Sequence, residues 1–246
     1  MHKKVDLIPT TKQVFDECAP LYLREDKHWG SDLDVIREYV EKFKTPNVIE
    51  LGTGYAWHLA NLFFVSSVTL GRVVGVDYSD EMLKMAEAFL KNVFLDKQPL
   101  RNKVDLRKAD ILSLPFEAGS FDVAMCLNNT LGNIPGKDFK ESKEKRKLAL
   151  KEMHRILKRK GFLILSVYNA ARLTEEDKYG EVFELDSKLS DLENFDLVVR
   201  FKNTNTPYYS HWFHNSELKR LVYDISFKVV EMEERKKRIV LVGQKR

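Results

Sequence analysis

Short apolar, β-branched runs recur along the chain at NVIEL (47–51), RVVGVD (72–77), VDLRKAD (104–110), FDVAMCL (121–127), GFLILSVYN (161–169), FKVVEME (227–233) and RIVLVGQK (238–245). Each has the length and residue types of a strand, and most of the gaps between the first five carry apolar residues at helical spacing. Strands alternating with helices predict an α/β fold, a doubly wound and mostly parallel sheet of seven strands with helices on both faces. Only the charged link EERKKR separates the last two runs. They read as a hairpin, so an antiparallel pair closes one edge of the sheet.

Local signals support the helices. Ser79 is placed to cap DEMLKMAEAFLKN, with Asp80 and Glu81 in its first turn and Met82, Leu83, Ala86, Phe89 and Leu90 as its inner stripe. A second helix carries Leu150, Met153, Ile156 and Leu157 and is expected to stop at Gly161. Two regions stand outside the alternation: a helical lead-in over 1–45, with Tyr22, Arg24 and Trp29, and an insert over 170–212 ahead of a helix near Asn215. Within the insert, NFDLVVRFKN alternates as a strand does. A connection that long is expected to cover a site rather than only join two elements. The length of 246 residues is read as one domain, 1–246.

Charge and cysteine content narrow the class. The chain has 41 Lys and Arg against 37 Asp and Glu, a net charge of +4 too small to draw in nucleic acid globally. Cys18 and Cys126 have no metal-ligand spacing and are too few for a disulfide scaffold, and MHKKVDLIPT has no signal-peptide core. A cytoplasmic protein without a metal site is expected. The longest apolar run, LANLFFVSSVTL, is about half a membrane span, so no membrane partner is expected.

The stretch NVIELGTGYAWHLA runs from a buried strand through a glycine turn into a helix. In open parallel sheets ligands lie beyond the carboxyl ends of the strands. Gly52 and Gly54 sit there, where a missing Cβ lets a ligand approach the backbone. They could also serve only a tight turn. A dinucleotide site wants a third glycine where this chain has Trp57; here Glu50, Gly52, Gly54 and Ala56 follow at two-residue intervals. That pattern resembles the first motif of the class I S-adenosylmethionine-dependent methyltransferases, of the small-molecule type. The resemblance implies a Rossmann-like methyltransferase fold, S-adenosyl-L-methionine as cofactor and S-adenosyl-L-homocysteine as product. The turn Glu50, Gly52, Thr53, Gly54 and Tyr55 would take the methionine end, with Glu50 ordering the loop or its water. Asp77 ends RVVGVD where a carboxylate can accept from both ribose hydroxyls, with Tyr78 and Met82 beside it. KADILSLPF resembles the third motif, in which Asp110 accepts from the adenine amino group and Ile111 donates from its backbone. FDVAMCLNNTLGNI resembles the fourth motif, and EMHRILKRKGFLIL the helix, turn and strand that follow it. Tyr22 and Arg24 of the lead-in complete the expected cofactor contacts.

Methyl transfer needs orientation more than covalent help, and only a hydroxyl acceptor demands a strong base. Asn128, which also counts among the cofactor contacts, lies with Asn129 after the fourth strand; either could simply satisfy turn backbone. His58 follows the glycine turn and could equally be a surface residue. The cluster TPYYSHWFH supplies Tyr208, Tyr209, His211 and His214. Tyr209 and His211 are the base candidates by type and place, although part of the cluster is expected to pack as core. LNNTLGNIP loosely resembles the turn of methyltransferases acting on amino-acid or amine nitrogens, which leans the expected substrate to a small polar molecule.

Two rivals remain. Residues 137–160 hold eleven Lys or Arg against four Asp or Glu, a stripe that could serve an RNA or protein substrate, although such runs are usually solvated helix faces. Nucleic acid is therefore possible but not favoured. The other rival is a fold that binds the nucleoside without chemistry. Nothing in the sequence names an oligomeric state.

Overall fold

The computed structural model describes residues 11–22, 32–173, 183–201 and 206–246. The lead-in contributes helices α1 (Thr11–Tyr22) and α2 (Leu33–Val40). Then follow β1 (Val48–Leu51), α3 (Trp57–Val65), β2 (Val73–Asp77), α4 (Asp80–Val93), the short α5 (Gln98–Arg101), β3 (Val104–Lys108), β4 (Phe121–Cys126), α6 (Phe139–Ile156) and β5 (Leu157–Tyr168). The insert forms β6 (Phe183–Leu185), β7 (Asp196–Phe201) and β8 (Pro207–His211); α7 (Asn215–Asp224), β9 (Phe227–Arg235) and β10 (Arg238–Lys245) finish the chain.

All seven expected runs become strands of one seven-stranded sheet in the order β3-β2-β1-β4-β5-β10-β9. The first five are parallel, and β10 runs antiparallel to both β5 and β9. The hairpin thus closes the edge as expected, with the last strand tucked inside and β9 outermost. Strand order reverses between β1 and β4, which opens a crevice at their carboxyl ends. Successive β1 residues serve opposite layers. Val48 packs with α2, α3 and α4 through Ile36, Leu59 and Leu90, while Ile49 and Leu51 pack with α6 and α7 through Leu150, Met153 and Leu218. Glu50 therefore faces the α3 side.

Ser79 caps α4 as expected, its Oγ accepting from the Met82 N–H at 3.0 Å. The helix expected to reach Gly161 ends earlier, at Ile156. Leu157 already pairs with Phe121, and the strand passes through Lys160 at φ 64°. Close packing then leaves no room at Gly161, where a Cβ would stand 2.9 Å from the Asp122 carbonyl oxygen.

The alternating stretch in the insert is β7, the centre of a separate antiparallel sheet ordered β6-β7-β8. Val14 and Cys18 of α1 join Leu197, Tyr208 and Trp212 of this insert in one small core. Arg24, Trp29 and the Tyr22 side chain lie outside the described residues.

A buried ion pair ties the lead-in to the sheet. Asp32, fully buried just before α2, accepts from Arg238 Nη1 at 2.6 Å and Nη2 at 3.0 Å. Arg235 stands farther off, at 3.9 Å. Replacing Arg238 by Met leaves the Asp32 carboxylate without its close partner and is expected to lower unfolding free energy by about 3–5 kcal/mol. In urea titration the Asp32→Leu, Arg238→Met double variant should recover most of that loss.

Candidate active site

The turn after β1 is bare because its neighbours leave no alternative. Gly52 has φ +69°, and a Cβ there would stand 2.4 Å from Thr130 Cγ2 in the turn after β4. Gly54 has φ +54°, and a Cβ there would meet nothing within 4 Å. The first glycine is required by packing, the second by backbone conformation beside open space. That open space is where a ligand can lie against the chain.

Beneath the turn Glu50, 2% exposed, accepts from Thr53 Oγ1 at 2.8 Å and faces His58 Nδ1 at 2.9 Å. Thr53 is thereby a brace for the loop. His58 is buried, not a surface residue. Tyr55 is half-buried with its ring edge-on to Phe89 at 5.3 Å.

Asp77 ends β2 as expected. Its Oδ2 accepts from the Gly54 N–H at 2.9 Å and its Oδ1 from the Ser79 N–H at 2.9 Å, so one carboxylate fastens the glycine turn to the head of α4. Burial pushes the Asp77 carboxyl up from the ordinary range, against backbone hydrogen bonds from Ser79, Gly54 and Tyr78. Tyr78 beside it is 46% exposed, whereas Met82 is 2% exposed on the inner face of α4. Met82 thus packs below the site instead of lining an open wall. Asp110 is exposed one turn beyond β3, its Oδ1 accepting from the Leu112 N–H at 2.9 Å; the Ile111 N–H has no partner among the described residues.

The two asparagines after β4 have different roles. Both adopt left-handed backbone, Asn128 at φ 49° and Asn129 at φ 64°. Asn129 is fully buried and joins three elements: its Nδ2 donates to Ser210 Oγ at 3.1 Å and to the His211 carbonyl at 3.2 Å, while its Oδ1 accepts from the Tyr168 N–H at 3.1 Å. Asn128 is exposed at the crevice, its Oδ1 accepting from Arg238 Nη1 at 3.2 Å. Asn129 is thus a structural anchor, while Asn128 keeps its amide nitrogen at the crevice.

Tyr209 and His211 are corrected outright as base candidates. Tyr209 is 1% exposed, its hydroxyl held between Arg146 of α6 and Asp196 of β7. His211 is 3% exposed, with Nδ1 2.8 Å from Asp196 Oδ1 and Nε2 3.0 Å from Glu217 Oε1. Both ring nitrogens are occupied, and burial drives the tyrosine hydroxyl up and out of the range of a useful base. These residues bolt the insert to α6 and α7. Sequence reasoning missed Arg146, Asp196, Glu217, Asp32 and Arg238, whose partners lie from 6 to 206 residues away and follow no helix or strand period.

The lead-in reaches the same edge. Asp16 of α1 accepts from Ser79 Oγ at 2.6 Å, and Lys12 bridges Asp16 and Asp80. Glu17 accepts from Thr206 in the insert. Helix α1 therefore spans from the insert to the residues beside Asp77.

Residues 49–165 match the family described as Methyltransferase domain. EEF1A lysine methyltransferase 2 of Homo sapiens is 24% identical over 196 residues, 69% of this chain and 78% of that protein. The ubiquinone/menaquinone biosynthesis C-methyltransferase UbiE of Geotalea uraniireducens is 25% identical over 171 residues, 66% of this chain and 65% of that one. The crystal structure of an S-adenosylmethionine-dependent methyltransferase from Clostridium acetobutylicum shares the fold, with a TM-score of 0.67 at 18% identity over 94% of this chain and 98% of that one.

The network behind β8 has a pH signature. Burial works to raise Asp196 and Glu217, but their hydrogen bonds to His211 and the nearby charges hold both below the ordinary values of 3.8 and 4.5. Carboxyls depressed in the folded state add stability above those values and lose it as pH falls through their lower folded values. Urea titrations should show stability dropping below about pH 4, more shallowly in Asp196→Asn. Tyr209→Phe should cost about 1–3 kcal/mol at neutral pH.

Proposed function

Since the chain is a class I S-adenosylmethionine-dependent methyltransferase, we propose that it methylates a small polar molecule carrying an amine or amino-acid nitrogen. The supporting observation is the cover over the crevice. The insert is stitched to the turn after β4, the His211 N–H donating to the Gly132 carbonyl at 2.9 Å, while α1 crosses from Thr206 to Ser79. An edge covered from both sides suits an acceptor small enough to be enclosed. We read the whole chain as one domain on the same grounds, and its two buried free cysteines as suiting a reducing cytoplasm.

The residues fit the cofactor. Asp77 would take the ribose hydroxyls, Asp110 and the Ile111 N–H the adenine edge, Tyr78 its face, and the open backbone at Gly54 the methionine end. When bound, S-adenosylmethionine supplies a methyl group activated on a sulfonium sulfur. The chain's work is then to orient the acceptor, and orientation of this kind is worth roughly 7–11 kcal/mol in model reactions. The open amide nitrogen of Asn128 can hold an oxygen of the acceptor beside its nitrogen. An amine arriving uncharged needs no protein base, in keeping with the occupied Tyr209 and His211.

A second reading, a lysine side chain of a protein, is favoured by the alignment over 78% of the human relative and by Lys140, Lys143 and Lys151 exposed on α6. Nucleic acid is less favoured, because Lys145, Lys147, Arg155 and Lys158 of the same run are paired with acids and Arg146 is buried.

Labelled methyl donor incubated with protein and whole-cell extract should leave its label in the low-mass filtrate. Label confined to precipitated protein would favour the lysine reading, and none in either the non-catalytic binder. Asp77→Ala should weaken S-adenosylhomocysteine binding by about 1.5–3 kcal/mol in calorimetry run well below the variant's own ligand-free thermal midpoint, which the loss of the bonds from Gly54 and Ser79 lowers. Nicotinamide dinucleotides should bind far more weakly, since Trp57 replaces the glycine that a pyrophosphate-binding turn uses.

A further inference from the structure

His58 is the second residue of α3, so it stands at the carboxyl edge of the sheet directly after the glycine turn. Its side chain is 9% exposed and its Nδ1 faces Glu50 Oε1 at 2.9 Å. A carboxylate only accepts hydrogen bonds, so Nδ1 carries the proton and the lone pair of that tautomer stands on Nε2. Nε2 has no partner among the described residues, yet it is not among the polar atoms sealed from water. A ring more than nine-tenths buried therefore keeps one nitrogen open, at the point where the backbone is barest.

Glu50 itself is too buried to meet a ligand directly. It is 2% exposed, with one oxygen taken by Thr53 and the other by His58. Its charge is still felt: burial pushes Tyr55 and Asp77 up, and repulsion from Glu50 adds to both. A lone pair backed by a buried negative charge repels a carboxylate and attracts a cationic donor.

We infer that Glu50 and His58 form a dyad that recognises the α-ammonium group at the methionine end of the cofactor, His58 Nε2 accepting the hydrogen bond and Glu50 fixing the ring and balancing the charge. The inference rests on the reading that the methionine end lies on the glycine turn. It separates the two ends of an amino acid, because the α-carboxylate must then lie away from this ring. It also gives Glu50 an indirect part: the glutamate works through the imidazole.

The test uses calorimetric titration of the full chain with S-adenosylhomocysteine and with its analogue bearing hydrogen in place of the amino group. Wild type should bind the analogue about ten- to a hundredfold more weakly. His58→Asn keeps a donor for Glu50 but places nothing at Nε2; it should lose a similar factor toward S-adenosylhomocysteine and almost none toward the analogue. His58→Gln, with its amide oxygen near the Nε2 position, should recover part of the loss. Thermal midpoints of both variants separate misfolding from lost contact. Equal loss toward both ligands, no loss in His58→Asn, or equal wild-type affinity for the two ligands each overturns the dyad. Failure of the underlying reading looks different: Asp77→Ala would then leave both ligands bound as in wild type.

Discussion

The turn after β1 and the turn after β4 meet where strand order reverses, and they meet without a side chain on one side. Thr130 fills the space a Cβ at Gly52 would need, at 2.4 Å. That contact presses the two turns together and brings the left-handed pair Asn128 and Asn129 to the crevice. From Asn129 hydrogen bonds run to Tyr168 at the end of β5 and to Ser210 and His211 of β8. Gly132 continues the chain of close approaches, since a Cβ there would stand 2.4 Å from the His211 carbonyl. The insert's place over the edge depends on this sequence of contacts, and so does the position of Asn128 beside Arg238.

Buried charge is distributed around the edge in closed sets. Asp32 with Arg238 and Asp196 with Arg146, Tyr209 and His211 bring groups from separate elements together, whereas Glu50 with His58 and Thr53 closes on itself within one strand, turn and helix. Buried ions cost several kcal/mol each to desolvate, so such sets persist only when nearly every donor and acceptor is met. The Asp32 set ties the lead-in to the sheet, and the Asp196 set ties the insert to α6. The set behind β8 holds the cover, whereas the set under the glycine turn keeps Nε2 of His58 open. One polar chemistry thus gives a bolt in one place and a recognition group in the other.

The seven strands, the closing hairpin, the Ser79 cap and the strand in the insert were all legible from the chain. Each depends on spacing within a few residues, where period and capping act directly. The end of α6 was not, because pairing of Leu157 with Phe121 overrode a helical pattern that ran on toward Gly161. At the site, Asp77, Gly52 and Gly54 stood out by their place after strands. Tyr209 and His211 were misread because residue type and loop position suit both a base and a buried anchor. Only their partners, Arg146, Asp196 and Glu217, decide between those roles.

The sequence by itself determined where the strands lie, which turn must be bare, and which carboxylate closes β2, since these follow from local period and from backbone freedom. Tertiary structure alone decided which polar groups are spent and which remain open. Asn128 and Asn129, or His58 and His211, are alike as letters in a chain. Burial and the way strand, turn and helix fold back on one another consume both nitrogens of one histidine and one nitrogen of the other. That difference is set by packing across the sheet, and no spacing along the chain encodes it.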